Sequence, residues 1–430
     1  MLIKIFLVFS LVFSNLFVQG SFAQEENLSQ PVPGQYIVKF KDSVENASDK
    51  ADKLANAHGL QKLHSFEHVF KGAVVNIPPG KEKDLLADPD IEVAVQDFTV
   101  NAIDKPSDQI GASGNPKSSA GMGGTAKQVI PTGINWVDAE LNTTNEGLGA
   151  TVAVLDTGID FNHPDLIVNK GLSRDFSGDG TGGNDNNTSI GGHGTHCAGV
   201  IAALDNTIGV LGVGSKIDLV SVKVLNRSGS GSFGGIIAGL DYVTANSGVI
   251  GVTNSSFGAK GGTNPSQAFL DASALLRQAY QRAANAGVVN VAAAGNEAVD
   301  VTSNNEVPAM YPEVITVSAV NDGDGIQGND SWASFSSFGS EVDIIAPGVN
   351  ILSTAIGGGT SSLSGTSFSC PHVAGTVALY VVRNGRPANG DARLLSSLIS
   401  AISKTRSPLS GEPNDGFTEP SCYANGASLQ

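Results

Sequence analysis

Hydrophobic and polar positions along this chain change rhythm twice. Between Gln35 and Phe40 they alternate, as on a strand with one buried face. Residues 43–58 read as a charged helix that stops at Gly59. Val69–Ile77 is apolar and β-branched until Pro78-Pro79-Gly80 ends it. A short helix near 81–87 and a strand from Ile91 to Val100 complete a β-α-β-α-β order, which predicts a small α+β unit within residues 24–101. Residues 102–126 contain Asn115-Pro116-Lys117-Ser118-Ser119 and Gly121-Met122-Gly123-Gly124, the composition of a linker.

From residue 127 the pattern is different. Apolar runs at 150–155, 219–225, 249–254, 288–293 and 314–320 alternate with Ala-rich helical stretches. Runs of that kind are strands covered on both faces. Residues 127–405 are therefore predicted to form an α/β domain, a mostly parallel central sheet with helices on both faces. In such sheets the chemistry collects beyond the carboxyl ends of the strands. Residues 406–430 are polar, contain Pro and Gly, and read as a C-terminal tail.

Composition narrows the class. The 430 residues are 40% hydrophobic and 15% charged, with 53 glycines, which is enough apolar material for a large core. A formal charge of −16 argues against a nucleic-acid partner, because phosphate neutralisation needs a basic surface. Residues 1–23 combine Lys4, the mostly apolar run Ile5–Val18 and Ser21-Phe22-Ala23, the pattern of a secretory signal that leaves Gln24 as the new N-terminus. That run is shorter than the roughly 20 residues of a spanning helix. A secreted, extracellular protein without stable membrane association is expected. Three cysteines are too few for a disulfide framework.

One motif is a decoy. Gly229-Ser230-Gly231-Ser232-Phe233-Gly234 spells G-x-G-x-x-G between a strand and a helix, but a dinucleotide site also needs an acidic residue ending the next strand. Val252-Thr253-Asn254-Ser255-Ser256 supplies none. Three other motifs matter more. Val152-Ala153-Val154-Leu155-Asp156-Thr157-Gly158 puts a carboxylate at a strand end. Gly191-Gly192-His193-Gly194-Thr195-His196-Cys197 puts a histidine at a helix entrance. Ser364-Gly365-Thr366-Ser367-Phe368-Ser369-Cys370 puts a serine at the start of an apolar helix. Singly, these are a turn, a core histidine and an N-cap. In the order Asp, His, Ser they are strong together.

At these residues the chain resembles the subtilisin-like serine proteases, over 127 to about 400. Gly34–Ala102 resembles the family's inhibitory propeptide, a small ferredoxin-like domain. The resemblance implies a broad endopeptidase acting on polypeptides. It would be a monomer made as an autoprocessed zymogen, with its own propeptide as intramolecular inhibitor. Ser367 would attack the scissile carbonyl, His193 would carry the proton, and Asp156 would orient the histidine. The side chain of Asn296 and the Ser367 N–H would receive the oxyanion. Two processing points compete, near Asn101 and near Ala126.

The resemblance extends to substrate and metal. Gly229, Ser230 and Gly231 on one side, and Ser256, Phe257 and Gly258 on the other, would flank the substrate as antiparallel strands. Phe257, Ala294-Gly295 and Pro308-Ala309 would wall an apolar primary pocket for hydrophobic or aromatic residues before the cut, with Glu297 at a rim that admits a basic one. A structural Ca²⁺ would be held by Leu204, Asn206, Ile208 and Val210 together with Gln128 and Asp165, an all-oxygen set suited to a hard cation. A weaker cation site would lie around Ala309, Tyr311, Val314 and Asp343. Catalysis would need no cofactor. Cys197 is similar to a thiol beside the catalytic histidine in the proteinase K branch, although Cys197 and Cys370 read more simply as small buried hydrophobes.

Overall fold

The computed structural model describes residues 28–81, 83, 85, 87–103, 127–188, 191–388 and 392–430. The signal expected at 1–23 and linker residues 104–126 lie outside them, as do 82, 84 and 86 of the helix expected near 81–87. In the N-terminal unit β1 (Pro31–Phe40), β2 (Gln61–Phe66), β3 (Gly72–Asn76) and β4 (Ile91–Ala102) form an antiparallel array in the order β4-β1-β3-β2. Helix Ala47–His58 begins where the Asn46 side chain accepts the Asp49 N–H, and it ends at Gly59 in the left-handed conformation. An N-cap of this kind contributes about 1 kcal/mol. The helix buries Ala47, Ala51 and Leu54 against Val38, Phe40, Ala73 and Val75. Strand β2 was not expected: Gln-Lys-Leu-His-Ser-Phe is polar and buries only Phe66, so pairing with β3 decides its conformation.

The larger unit contributes β5 (Thr151–Asp156), β6 (Arg174–Asp175), β7 (Asp218–Lys223), β8 (Ser230–Ser232), β9 (Val252–Ser255), β10 (Phe257–Lys260) and β11 (Val289–Ala293). After these come β12 (Glu306–Val307), β13 (Val314–Asn321), β14 (Ser331–Trp332), β15 (Ile344–Pro347), the hairpin β16 (Ile351–Ala355) and β17 (Gly359–Leu363), β18 (Ser403–Lys404) and β19 (Ser421–Cys422). The central sheet runs β18-β19-β15-β13-β11-β9-β5-β7-β6 and is parallel from β19 to β6. All of β5 is buried, and successive residues enter opposite layers. Val152 and Val154 pack with Ala198 and Val373, from helices His193–Ala202 and Thr366–Asn384. Ala153 and Leu155 pack with Ile237 and Ala279, from helices Phe233–Ala245 and Gln267–Asn285. Continuous apolar runs are what this double coverage demands.

The segment read as a tail is part of this core. Strand β19 pairs with β15, Cys422, Ala424 and Leu429 are fully buried, and the Ala424 N–H donates to the Val137 carbonyl at 2.7 Å. Its few apolar residues are too widely spaced to show a period.

Candidate active site

Strands β5 and β7 lie on one side of the point where the strand order reverses, and β9 and β11 on the other, so their carboxyl ends open into one crevice. Asp156 ends β5, and its two carboxylate oxygens lie 2.8 and 2.9 Å from Nδ1 of His193, the first residue of its helix. Both residues are fully buried. Behind them Asp185 accepts the Thr195 hydroxyl at 2.6 Å. Burial pushes the Asp185 pKa up to about 6, and the Asp156 charge acts in the same direction.

Ser367 is the second residue of helix Thr366–Asn384, four residues before Pro371. Proline has no N–H to return to the Ser367 carbonyl. That carbonyl instead accepts the Ser256 hydroxyl at 2.8 Å and the Cys197 thiol at 3.4 Å. The missing helical bond thus becomes a tie to the helix that carries His193. All three cysteines are buried thiols.

The Ile103 carbonyl oxygen lies 2.6 Å from Ser367 Oγ and 2.8 Å from Asn296 Nδ2. The amide of Asn296 cannot be reversed, because its Oδ1 accepts the Thr366 N–H at 2.9 Å. Gly365 has φ +150°, and a Cβ there would come within 2.9 Å of Asn296 Nδ2 and 3.0 Å of the Ile103 oxygen. Only glycine leaves that space open.

Ile103 is delivered by β4, which lies between two strands of the larger unit. Thr99, Val100 and Asn101 face Ser232, Gly231 and Ser230 of β8, while Asn101 and Ala102 face Gly258 and Phe257 of β10. The Ala102 N–H donates to the Gly229 carbonyl at 2.8 Å. The segments read from the sequence as substrate-flanking strands therefore clasp the chain's own N-terminal unit. Val100 is fully buried among Leu225, Phe233 and Phe257, and the Phe98 ring meets Phe269 edge-on at 5.4 Å. The G-x-G-x-x-G helix does receive an anion at its N-terminus, namely the Asp97 carboxylate, whose oxygens lie 3.1 and 3.2 Å from the Gly234 nitrogen.

The primary pocket differs from the expectation in two respects. The Phe257 side chain packs toward the helices with Phe233 and Phe269, and it is Gly258 that meets Ile103. Glu297, expected at the rim, is engaged by Lys260 at 2.6 Å. The sequence patterns single out neither Thr366 nor Glu306, which is 4% exposed beside Gly295. Ala309 packs with Ala294, Val301 and Val342.

The residues expected at calcium converge in space. Asn206 Nδ2 donates to Asp165 Oδ1 at 2.6 Å, the Val210 N–H to Asp165 Oδ2 at 2.9 Å, and the Ile208 N–H to Asn206 Oδ1 at 2.7 Å. Gln128 Nε2 lies 2.5 Å from the Leu204 carbonyl and 3.2 Å from that of Val210. Burial raises the Asp165 pKa, with the Val210 N–H, Asn206 and the charge of His163 pulling the other way. At the second location Thr316 donates its N–H to Asp343 and its hydroxyl to the Ala309 carbonyl, and burial pushes Asp343 up to about 7.

A serine at a helix entrance, a histidine–carboxylate pair and an amide held on a carbonyl oxygen are the features of this site, and comparison with known proteins gives the family. The subtilase family model matches residues 147–402. Subtilisin J of Geobacillus stearothermophilus is 34% identical over 401 residues, covering 91% of this chain and 90% of its own. A thermostable alkaline protease of Halalkalibacterium halodurans is 36% identical over 353 residues, covering 81% and 83%. A solved structure titled as a cold adapted subtilisin-like serine proteinase matches with a TM-score of 0.53 and 32% identity, covering 66% of this chain and 91% of that one. The chain belongs to the subtilase family. Among the described residues no helix is long and apolar enough to cross a membrane.

Proposed function

We propose that this protein is a secreted zymogen of broad specificity that cuts its own chain between Ile103 and Asp104, with residues 24–103 as inhibitor and an apolar residue preferred before the cut. The observation that carries the reading is the Ile103 carbonyl, contacted at once by Ser367 Oγ and Asn296 Nδ2. Ser367 Oγ adds to the Ile103 carbonyl carbon while His193 takes its proton, and Asp156 stabilises the imidazolium. Negative charge developing on the carbonyl oxygen meets Asn296 Nδ2 and the Ser367 N–H. The C–N bond then breaks, His193 gives its proton to the Asp104 amine, and water releases the acyl group in a second round. Of the two processing points weighed from the sequence, this is the earlier one, two residues beyond Asn101.

Calcium belongs to the same proposal. Asp165, Gln128, Asn206 and the carbonyls of Leu204, Ile208 and Val210 would hold it, and bound ion would lock the loop after helix His193–Ala202 to the segment at Gln128.

The test is maturation itself. Wild type should yield a mature N-terminus at Asp104 by N-terminal sequencing, and Ser367→Ala should accumulate the uncut precursor. Normal processing of Ser367→Ala would assign the cut to another protease. Labelling of Ser367 by a fluorophosphonate separates an active enzyme from a binding module of the same fold.

A further inference from the structure

Two buried carboxylates face each other at the mouth of the β13–β14 hairpin. The strands pair antiparallel, with Val320 opposite Trp332 and Asn321 opposite Ser331. The next residue outward on each arm is an aspartate, Asp322 on one and Asp330 on the other, so the register opposes two like charges. They are 2% and 9% exposed. Asp330 Oδ2 accepts the Gly328 N–H at 3.0 Å. Among the described residues neither Asp330 Oδ1 nor Asp322 Oδ2, both buried, has a hydrogen-bond partner. Nor does any described lysine, arginine or histidine form an ion pair with either residue. Burial raises the Asp322 pKa, the Thr132 hydroxyl and its own N–H pull it down, and the charges of Asp330 and Asp324 push it up again.

The loop between the two arms is fixed by other groups. Asp324 Oδ1 accepts the Ile326 N–H at 3.0 Å and its Oδ2 the Asn329 amide at 2.9 Å, so both of its oxygens serve the turn. Gln327 Nε2 donates to the Trp136 carbonyl at 2.9 Å, and a Cβ on Gly325 would lie 3.0 Å from the Thr132 carbonyl, which seats the loop on helix Thr132–Trp136. On the outer arm the Trp332 N–H donates to the Ser410 carbonyl at 2.9 Å. Asp322 and Asp330 are thus anchored from both sides, each with one buried oxygen left over.

We propose that Asp322 Oδ2 and Asp330 Oδ1 hold a calcium ion across the mouth of this hairpin, at a site separate from the Asp165 set and from the Asp343 location. A divalent cation answers both charges at once. The donors are all oxygen, with no imidazole or thiolate among them, which selects a hard ion over zinc or copper. Loop carbonyls and water would complete the shell. Calcium suits the place better than magnesium, which demands a rigid octahedron. Gly323 and Gly328 have open space where a side chain would be, so the cage is pliant. Affinity should therefore be weak, with Kd roughly 10⁻⁴–10⁻³ M, and lower calcium would fill the Asp165 set while leaving this one unfilled. The rival is a proton shared between the two carboxyls, which would need no metal.

Terbium is the probe, because it takes the ligands of calcium and emits when a nearby indole passes it energy. The chain has two tryptophans, and both adjoin this loop: Trp332 follows Asp330 by two residues, and the Trp136 carbonyl holds Gln327. The full chain carrying Ser367→Ala, to stop self-digestion, should show saturable terbium emission on tryptophan excitation, reversed by millimolar calcium. Asp322→Asn and Asp330→Asn should each weaken terbium binding on the order of tenfold or more, with circular dichroism unchanged. Asp165→Asn and Asp343→Asn should keep the emission. No saturable emission overturns the proposal in favour of the shared proton. Emission that survives in Asp322→Asn and Asp330→Asn but disappears in Asp165→Asn overturns it too, by moving the ion to the other loop. If the hairpin variants do not fold, the Asp165→Asn titration decides, since emission kept there supports the hairpin site and emission lost there removes it.

Discussion

Thr366 grips Asn296 with both its backbone and its side chain. The Thr366 N–H donates to Asn296 Oδ1 at 2.9 Å and the hydroxyl to the same oxygen at 3.0 Å, while the hydroxyl accepts the Gly295 N–H at 3.1 Å. The residue before Ser367 thus orients the amide that faces the Ile103 carbonyl. Asn296→Ala should lower kcat by roughly 10²–10³ with little change in KM, the magnitude known for the equivalent loss in subtilisin. Thr366→Val keeps the backbone bond and loses the hydroxyl, so kcat should fall only about five- to tenfold. Steady-state kinetics on a peptide amide separates the two. Equal losses would mean that Thr366 does more than orient.

Ser256 answers a vacancy that Pro371 creates. Ser256→Ala leaves the Ser367 carbonyl with only the weak Cys197 thiol donor, and a buried acceptor that loses its strong partner costs roughly 1–3 kcal/mol. The expected outcome is a lower Tm together with reduced kcat, read by calorimetry and kinetics. A variant with unchanged Tm would show that the Cys197 thiol suffices.

Release of the N-terminal unit should depend on pH through Asp97. Burial pushes its pKa up to about 6 when docked, with Gln35, Gly234, Ser232 and Phe98 pulling it down. A carboxyl whose pKa is higher docked than free favours docking at low pH, and that contribution is lost as pH rises through about 6. Asp241, capping the Glu67, His68 and Val69 amides, shifts the same way, whereas burial lowers the His64 pKa and opposes both. After cleavage, Asp97→Asn should show a smaller increase in the rate at which activity appears between pH 5 and pH 7. An identical pH profile would count against the role of Asp97.

Calcium should be visible as stability. Ion at about 100 times its Kd adds roughly 2.7 kcal/mol to the folded state, which at this size is a Tm rise of about 3–5 °C. Chelation should remove that rise, and Asp165→Asn should make Tm insensitive to both treatments. Scanning calorimetry with and without chelator is the measurement.

The double-sided strands and the positions of Asp156 at a strand end and of His193 and Ser367 at helix entrances were legible because their physics is local. A strand covered on both faces must be a continuous apolar run, as β5 is, and a helix entrance or strand end leaves its mark within a few residues. What stayed hidden depends on distant partners. Glu306 looks solvated until Gly295 is beside it, and β2 looks like a loop until β3 pairs with it. Ser421–Cys422 looks like a tail until β15 is its neighbour. The roles of Thr366 and Ile103 are likewise properties of a meeting, and no spacing records it.

On the proposed reading, in which a substrate takes the place of β4 between β8 and β10, the pairing also limits what this enzyme can digest. Any chain read there must be straight and unpaired over the stretch matching Thr99 to Ala102, and the position matching Ala102 must offer an N–H, which a proline cannot. Few folded proteins present such a stretch at rest. For native targets, the turnover clock should then be set by how often the victim frays, and a stable protein would outlast a loose one of the same composition.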